Sequence, residues 1–281
     1  MLTRSPRATL KAMDTRRRWL QHSVAVVSLL MMGACGAGTE PLNTIPPTTS
    51  VDLPQGSEPV DVNPADFTTE IDNPYLPMEP GTRLTYREMG PDGEIKEVVV
   101  IVTDTTRQIA NGVTARVVRD TVTVDSEIVE DTFDWYAQDA LGNVWYFGED
   151  TAEFENGEIT TSAGSFEAGV DGALPGIIMP ANPAPGMRYR QEYYQGEAED
   201  NGEVLSINEM TEVPWGLFED VVLTKDTITI EPGVLEYKLY ARDIGLVLAL
   251  DIAGGSGREE LVKVDTVPDG AGTGPLGSPS P

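Results

Sequence analysis

Apolar and polar residues alternate with a period of two through the middle of the chain. Val122 and Val124 alternate with threonines, and so do Ile228 and Ile230. This period indicates β-strands that turn one face towards a core and the other towards water. The run Val98–Val102 has no polar face, which indicates either a strand that is covered on both sides or a central strand.

Turn-forming dipeptides separate these predicted strands, and no segment between them keeps a helical period. Asparagine–glycine pairs occur at 111–112, 156–157 and 201–202, and Pro232 precedes Gly233. Such pairs favour tight turns between antiparallel strands. We therefore predict an all-β domain over residues 64–267.

The domain contains one sequence unit twice. Three short stretches in each copy match in order, at separations of 104 to 106 residues: Pro80–Tyr86 with Pro185–Arg190, Arg119–Val124 with Lys225–Ile230, and Tyr136–Asp139 with Tyr240–Asp243. The repeat predicts two related antiparallel meanders of about five strands each, near residues 77–151 and 182–252. Two such sheets can pack as a sandwich or join into a large curved sheet or barrel.

The segments on either side of the domain have the composition of chains without a packed core. Residues 36–63 and 268–281 are rich in glycine, proline and polar residues. We predict a flexible tether over residues 35–63 and a disordered tail over residues 268–281.

Residues 1–34 have the pattern of a signal peptide. Arg16 and Arg17 lie in a basic region that precedes a short apolar run, Ser23–Ala34. That run is shorter than the ~20 residues that a membrane-spanning helix needs, as is usual for an export signal.

Two parts of this signal resemble known export and anchoring motifs. Met32–Cys35 resembles the bacterial lipobox, in which the cysteine receives a diacylglyceryl group and becomes the new N-terminus. Thr15–Gln21 resembles a twin-arginine export signal, with Trp19 where phenylalanine is usual; a general export signal is the alternative. The resemblance implies that Cys35 is the lipid attachment site and that the membrane is a partner, with the domain on its extracytoplasmic side.

Composition excludes several classes of function. Beyond residue 34 the chain carries 13 basic and 45 acidic residues, a net charge of −32, which disfavours nucleic acid as a partner. The single histidine, His22, lies in the signal, and Cys35 is the single cysteine. The domain therefore lacks the side chains of Ser-His-Asp and Cys-His catalysis and of common zinc sites, and we expect no cofactor and no metal.

Aromatic residues concentrate in one predicted hairpin of the first copy. Trp135, Tyr136, Trp145 and Tyr146 lie there beside acidic residues. One interpretation is a platform for a sugar ring or an apolar ligand, and the other is core packing.

Carboxylates in this hairpin form the second candidate site. The pairs Asp131 with Asp134 and Glu149 with Asp150 have the residue types that glycoside hydrolysis uses for general acid and base. A third candidate, Glu197–Val204, partly resembles a calcium loop but departs from the EF-hand pattern at its first and twelfth positions. A hairpin turn at Asn201 and Gly202 is the alternative there.

Two functions of different classes follow from these observations. The first is a non-enzymatic binding or interaction module of the cell envelope, for an apolar ligand in one version. Tyr240–Val247 resembles the closing strand turn of uncharacterised bacterial envelope lipoproteins, some of which hold lipid in curved sheets. The second function is a carboxylate-based hydrolase that acts on envelope glycans.

Replacing the predicted lipid-bearing residue tests the anchor. Cys35→Ala removes the thiol that would be acylated, so we expect loss of lipid labelling and release of the protein from membranes into the soluble fraction. Retention of the variant in membranes at the level of the unmodified protein would contradict the anchor.

Overall fold

The computed structural model describes residues 53–90 and 93–278, so the signal peptide, Cys35, Arg16 and Arg17 lie outside the described residues. One 3-10 turn, Pro64–Asp66, precedes sixteen strands. Among the described residues, no helix has the length and apolar character to cross a membrane. The strands are β1 Phe67–Thr68, β2 Thr82–Met89, β3 Ile95–Gln108, β4 Thr114–Val124, β5 Glu127–Asp139, β6 Val144–Glu155, β7 Glu158–Thr161, β8 Phe166–Glu167, β9 Leu174–Met179, β10 Arg188–Arg190, β11 Glu192–Tyr193, β12 Asp200–Val213, β13 Gly216–Ile228, β14 Glu231–Ala241, β15 Gly245–Ala253 and β16 Arg258–Thr266.

All sixteen strands belong to one antiparallel, barrel-like sheet. β2–β6 form a five-stranded meander, and β10 with β12–β15 form a second one. β16 pairs with β15 on one side and with β2 on the other, which joins the two meanders edge to edge. The predicted fold class is therefore confirmed, in its curved-sheet form.

The sheet nearly closes because its two ends are neighbours in the sequence. β10 pairs with β12, whereas β11 pairs with β9, and only Gln191 separates β10 from β11. The chain thus passes from one end of the sheet to the other within six residues, Arg188–Tyr193. Gly176 in β9 permits this approach, since a Cβ there would lie 2.5 Å from the carbonyl oxygen of Arg190.

A loop before β2 covers one open end of the barrel-like sheet. The Asn73 side chain donates hydrogen bonds to the carbonyl oxygens of Gly142 and Pro180, at 2.9 and 3.2 Å. The Asp243 backbone N–H donates to the carbonyl oxygen of Pro74 at 2.7 Å. These bonds hold the loop across the turns that end β5 and β14.

The predicted tether is wrong for its last eleven residues, 53–63, which pack on the domain. The buried Arg190 guanidinium donates to the carbonyl oxygens of Gly56 and Glu58, at 2.6 and 2.8 Å. Leu53, Val60 and Val62 also pack against the core. A buried guanidinium needs acceptors, and these backbone carbonyls supply them.

The prediction of a disordered tail is also wrong, because residues 268–278 are ordered along the outer face of the sheet. Arg119 on β4 forms a fully buried ion pair with Asp131 on β5. The tail covers this pair: Arg119 donates to the carbonyl oxygen of Ser278 at 2.8 Å, and Asp131 accepts from the backbone N–H of Gly277 at 2.7 Å. The composition of a segment indicates how little apolar surface the segment carries. It does not indicate that a buried ion pair on other strands needs the backbone of that segment as a hydrogen-bond partner.

The predicted turn at Asn201 and Gly202 lies within β12 instead. The chain turns earlier, at Tyr194–Ala198, where Tyr194 and Ala198 form a bridge and Gly196 has a positive φ. Gly202 serves a packing role, since a Cβ there would lie 2.5 Å from the ring of the buried Tyr189.

Removing the acid of the buried ion pair tests how much this pair contributes to the stability of the domain. Asp131→Ala leaves the Arg119 charge buried without its counterion, so we expect a loss of about 3–5 kcal/mol in the free energy of unfolding, measured by urea denaturation. The control is Asp150→Ala on the neighbouring strand, an exposed position where a change below about 0.5 kcal/mol is expected. Equal losses in the two variants would contradict the role of the ion pair.

Candidate functional site

The barrel-like sheet is not filled by its own side chains. A cavity of about 390 Å³ lies between the two meanders. Its closed end is apolar and includes Leu76, Pro77 and Met78 from the covering loop, with Val102 and Leu246 from the sheet. This volume lies within the range of small-molecule pockets.

A second cavity of about 340 Å³ adjoins the first and is acidic. The two cavities lie directly beside each other, since they share six lining residues: Asp134, Tyr136, Ile178, Gln191, Ile228 and Lys238. The outer part of the acidic cavity is lined by four glutamates: Glu130, Glu153, Glu197 and Glu231. These four side chains are half-buried or exposed, which places the mouth of the space at this end.

The structure divides the four predicted aromatic residues between the two faces of the sheet. Tyr136 and Tyr146 line the interior, with ring centroids 5.0 Å apart. Trp135 packs on the outer face under the Arg107 guanidinium, 4.0 Å from its ring centroid. Trp145 packs edge-on against Phe67 and donates to Asp139 at 2.8 Å. Only the tyrosines are therefore placed to touch a molecule in the cavity.

The predicted carboxylate pairs divide in the same way. Asp134 and Glu149 are register partners on β5 and β6 and both line the acidic cavity. The hydroxyl of Tyr146 lies 2.7 Å from Asp134 Oδ1 and 3.2 Å from Glu149 Oε2. Asp131 instead lies in the ion pair under the tail, and Asp150 is exposed. Each predicted pair thus contributes one residue to the interior.

Among the described residues that line the two cavities, Lys238 is the single cation. Lys238 Nζ lies 3.0 Å from Asp226 Oδ2 and 3.2 Å from Glu236 Oε2. Burial alone would lower the pKa of Lys238, but these two carboxylates outweigh burial and raise it well above its ordinary value. Lys238 therefore stays charged, with its charge balanced by acids on its own meander.

Two acids of the second cavity are neighbours, Glu192 on β11 and Asp200 on β12. Burial raises the pKa of Glu192 well above its ordinary value, and the neighbouring Asp200 carboxyl adds to the shift. Burial also raises the pKa of Asp200. The pair therefore holds a proton at a pH where exposed carboxyls are ionised.

The predicted calcium loop does not form. Asp200–Val204 is part of strand β12, so successive side chains point to opposite faces instead of converging on one point. Among the residues that the structure describes, no group of three acidic side chains is arranged to hold a metal ion.

Sequence reasoning missed most of the interior polar residues. One face of β14 lines the cavity with Glu236, Lys238 and Tyr240. The stretch Arg188–Tyr193, which passes from one end of the sheet to the other, adds Gln191 and Glu192. The only available signal was the period-two spacing in β14, which is also the pattern of a strand whose polar face meets water.

Comparison with known proteins gives structural matches alone. No family model and no curated protein matches the chain. A protein from Bacteroides fragilis described as exported, with a YmcC-like fold, aligns over 68% of this chain and 99% of its own, at 15% identity and a TM-score of 0.41.

Two further solved structures are similar at the same low level. A protein from Parabacteroides distasonis described as a lipoprotein covers 68% of this chain and 98% of its own, at 11% identity and a TM-score of 0.38. A beta-barrel-like protein of a domain of unknown function from Brucella abortus covers 66% and 98%, at 12% identity and 0.32. The proposed function rests on the geometry of the interior and on the export and anchoring motifs of the sequence.

The raised pKa of Glu192 predicts how stability depends on pH. The folded state binds the proton of Glu192 more tightly than the unfolded state, so stability is greatest below the ordinary glutamate pKa and falls as pH rises towards the raised value. In Glu192→Gln this decline should be smaller, measured as melting temperature between pH 4 and 8.

The control for this measurement is Asp265→Asn on β16. Its hydrogen bond from Arg83 lowers the pKa of Asp265, so the stability that it contributes is lost only when pH falls below the ordinary aspartate range. Asp265→Asn should leave the decline above pH 5 unchanged. A decline in Glu192→Gln as steep as that of the unmodified protein would contradict the buried proton.

Proposed function

We propose that the protein is a lipid-anchored binding module of the cell envelope, which holds an apolar ligand inside the barrel-like sheet. One observation carries the proposal: a space of about 390 Å³ remains open between the two meanders. Apolar side chains surround its closed end, and burial there is favourable at about 25 cal/mol per Å² of apolar surface. The Cys35 anchor and the extracytoplasmic position are part of the same proposal.

The geometry of the cavity supports a carrier better than a surface adaptor. Val100 on β3 reaches the space from the first meander, and Leu246 and Ala249 on β15 reach it from the second, so a ligand would contact both meanders at once. The loop that includes Leu76 and Met78 covers the closed end, which leaves the acidic mouth as the open end. A ligand held in this way is shielded from water over its apolar part.

Filling the cavity should abolish binding of an apolar probe. Ala249→Phe places a ring in the space between the meanders, whereas Ala253→Phe on the same strand lies in an exposed position. The probe is N-phenyl-1-naphthylamine, a neutral dye whose fluorescence rises in apolar surroundings. The full chain carrying Cys35→Ala should bind it, Ala249→Phe should weaken binding at least about tenfold, and Ala253→Phe should not.

Two results would contradict this proposal. One is the absence of a fluorescence rise with the full chain, and the other is unchanged binding in Ala249→Phe. Melting temperatures of the two variants show whether each remains folded. Native mass spectrometry of the protein purified from its source adds a direct check, since a carrier should retain ligand mass.

Glycan hydrolysis by the interior acids is the second candidate. It is favoured by the meeting of Asp134 and Glu149 at the Tyr146 hydroxyl, with the protonated Glu192 lining the same cavity. Ionised and protonated carboxyls together are the groups that glycosidases require.

A screen of envelope glycans with release of reducing ends measures this activity. If hydrolysis occurs, Glu192→Gln and Asp134→Asn should each lower the rate by at least about a hundredfold. The exposed Glu158→Gln on β7 is the control. Hydrolysis that persists in both interior variants would refute this site, and Asp131 variants should act on stability instead.

A further inference from the structure

We infer that an apolar ligand enters the cavity of about 390 Å³ sideways, through a seam between β15 and β16 that the end of the β12–β13 hairpin covers. This inference rests on the proposed function and adds the route of the ligand. Three features of the cavity wall carry it: a gap in the strand pairing, a hairpin that closes this gap from outside, and apolar packing that continues from the cavity to the hairpin.

The gap in the strand pairing is the first feature. β15 and β16 are each nine residues long, yet their register pairs are three, all near the connecting loop: Leu248 with Glu260, Ala249 with Glu259 and Leu250 with Arg258. The seam is the part that stays unpaired, Gly245–Val247 of β15 beside Leu261–Thr266 of β16. Gly245 and Leu246 line the cavity, so the seam lies in the cavity wall.

The β12–β13 hairpin closes the seam from outside. In the order of the sheet β13, β14 and β15 lie between β12 and β16, so the hairpin has to bend over its neighbours to reach β16. Three register shifts between Val204 and Thr211 supply this bend. At the end of the hairpin, the backbone N–H of Trp215 donates to the carbonyl oxygen of Leu261 at 3.1 Å, in the part of β16 that β15 does not pair.

A side-chain hydroxyl holds the other side of the seam. Tyr86 on β2 donates from its hydroxyl to the carbonyl oxygen of Leu246 on β15 at 3.0 Å. Tyr86 lines the cavity, so it reaches this oxygen from inside. A hydroxyl and a hairpin amide thus hold the wall where paired strands would hold it elsewhere. Opening the wall at the seam breaks fewer hydrogen bonds than separating two paired strands.

Apolar packing continues through the wall at this place. Tyr86 belongs to the same buried hydrophobic cluster as Val213 at the end of β12. Leu239 belongs to the cluster as well, and its side chain points to the outer face, because those of Lys238 and Tyr240 on either side of it line the cavity. The cluster therefore includes residues on both faces of the sheet. An apolar molecule that passes the seam stays in apolar surroundings.

The acidic mouth is a less favourable route for the same molecule. The acidic cavity lies between the mouth and the apolar cavity, so an apolar body that entered there would pass Glu192 and Asp200. It would displace water from polar groups without replacing the hydrogen bonds of that water, which costs free energy. Entry at the seam avoids this cost.

Locking the end of the hairpin tests the route. In the full chain with Cys35→Ala, Trp215→Cys and Val262→Cys introduce the only two thiols, on either side of the hydrogen bond between Trp215 and Leu261. Mild oxidation joins them, thiol titration measures the yield, and stopped-flow fluorescence of N-phenyl-1-naphthylamine gives the rates of entry and exit. Both rates should be at least about tenfold slower in the oxidised form than in the reduced form. The dissociation constant should be unchanged, because neither position lines the cavity.

Loosening the end of the hairpin should have the opposite effect. Val213→Ala shortens a buried side chain of the cluster that does not line the cavity. Such a change lowers the barrier to opening without altering the contacts of the bound probe, so entry and exit should both be at least about threefold faster at an unchanged dissociation constant. Val170→Ala, at an exposed position between β8 and β9, is the control and should change neither rate.

A bulky residue at the mouth distinguishes the two routes. Ala163 is exposed and lines the acidic cavity, so Ala163→Trp narrows the mouth. Entry through the seam predicts unchanged rates in this variant. Slower entry in Ala163→Trp than in the oxidised form of the locked protein would assign the route to the mouth and overturn the inference.

The outcomes separate this inference from the proposed function. Equal rates in the oxidised and reduced forms overturn the seam and leave the apolar carrier in place. If the two thiols do not join, Val213→Ala decides, and unchanged rates in that variant overturn the seam. Absence of probe binding in the chain that carries Cys35→Ala alone overturns the carrier, and the seam with it.

Discussion

The backbone groups at the two ends of an antiparallel sheet need hydrogen-bond partners. In this protein one short stretch of chain supplies the last strand at both ends. Arg188–Tyr193 pairs with β12 through its first half and with β9 through its second half. Because these pairings are short, the closure depends on close backbone approach, which Gly176 allows. The interior depends on this near closure, since a sheet that curves until its ends meet encloses a space that can hold polar groups away from water.

Buried arginines fix the peripheral segments to this sheet by binding backbone carbonyl oxygens. Arg190 holds residues 53–58, and Arg119 holds the tail at Ser278. Arg116 reaches the carbonyl oxygen of Thr69 in the same way, at 3.3 Å. A guanidinium offers five donors in a rigid plane, so one side chain can bind several carbonyls of a segment that has little apolar surface of its own.

The fold could be predicted from the sequence because its signals are local. Period-two alternation around Val122 and Ile228, glycine turns and the two copies of a five-strand unit all indicate a curved antiparallel sheet. The tail could not be predicted, because its order depends on an ion pair formed between Arg119 and Asp131 on two other strands. The composition of the tail does not indicate a partner that lies so far away in the sequence.

The interior site could be predicted only in part, for a different reason. Tyr136 and Tyr146 were among the predicted candidates because aromatic residues cluster in the sequence, and both line the cavity. Lys238 and Glu236 were not, because a strand whose polar face lines a cavity has the same alternation as one whose polar face meets solvent. Only closure of the sheet distinguishes the two, and closure is set at Arg188–Tyr193, a stretch that lies far from β14 in the sequence.

With the proposed lipid anchor at Cys35, the packing of residues 53–58 on the sheet would also limit how far the domain can stand from a membrane. Eighteen residue steps separate Cys35 from Leu53, which packs against the core. Fully extended, that length of chain spans about 60 Å. Under the proposed anchor, the acidic mouth would stay within a shell about as deep as one or two globular domains, and a ligand would be exchanged with molecules found in that shell.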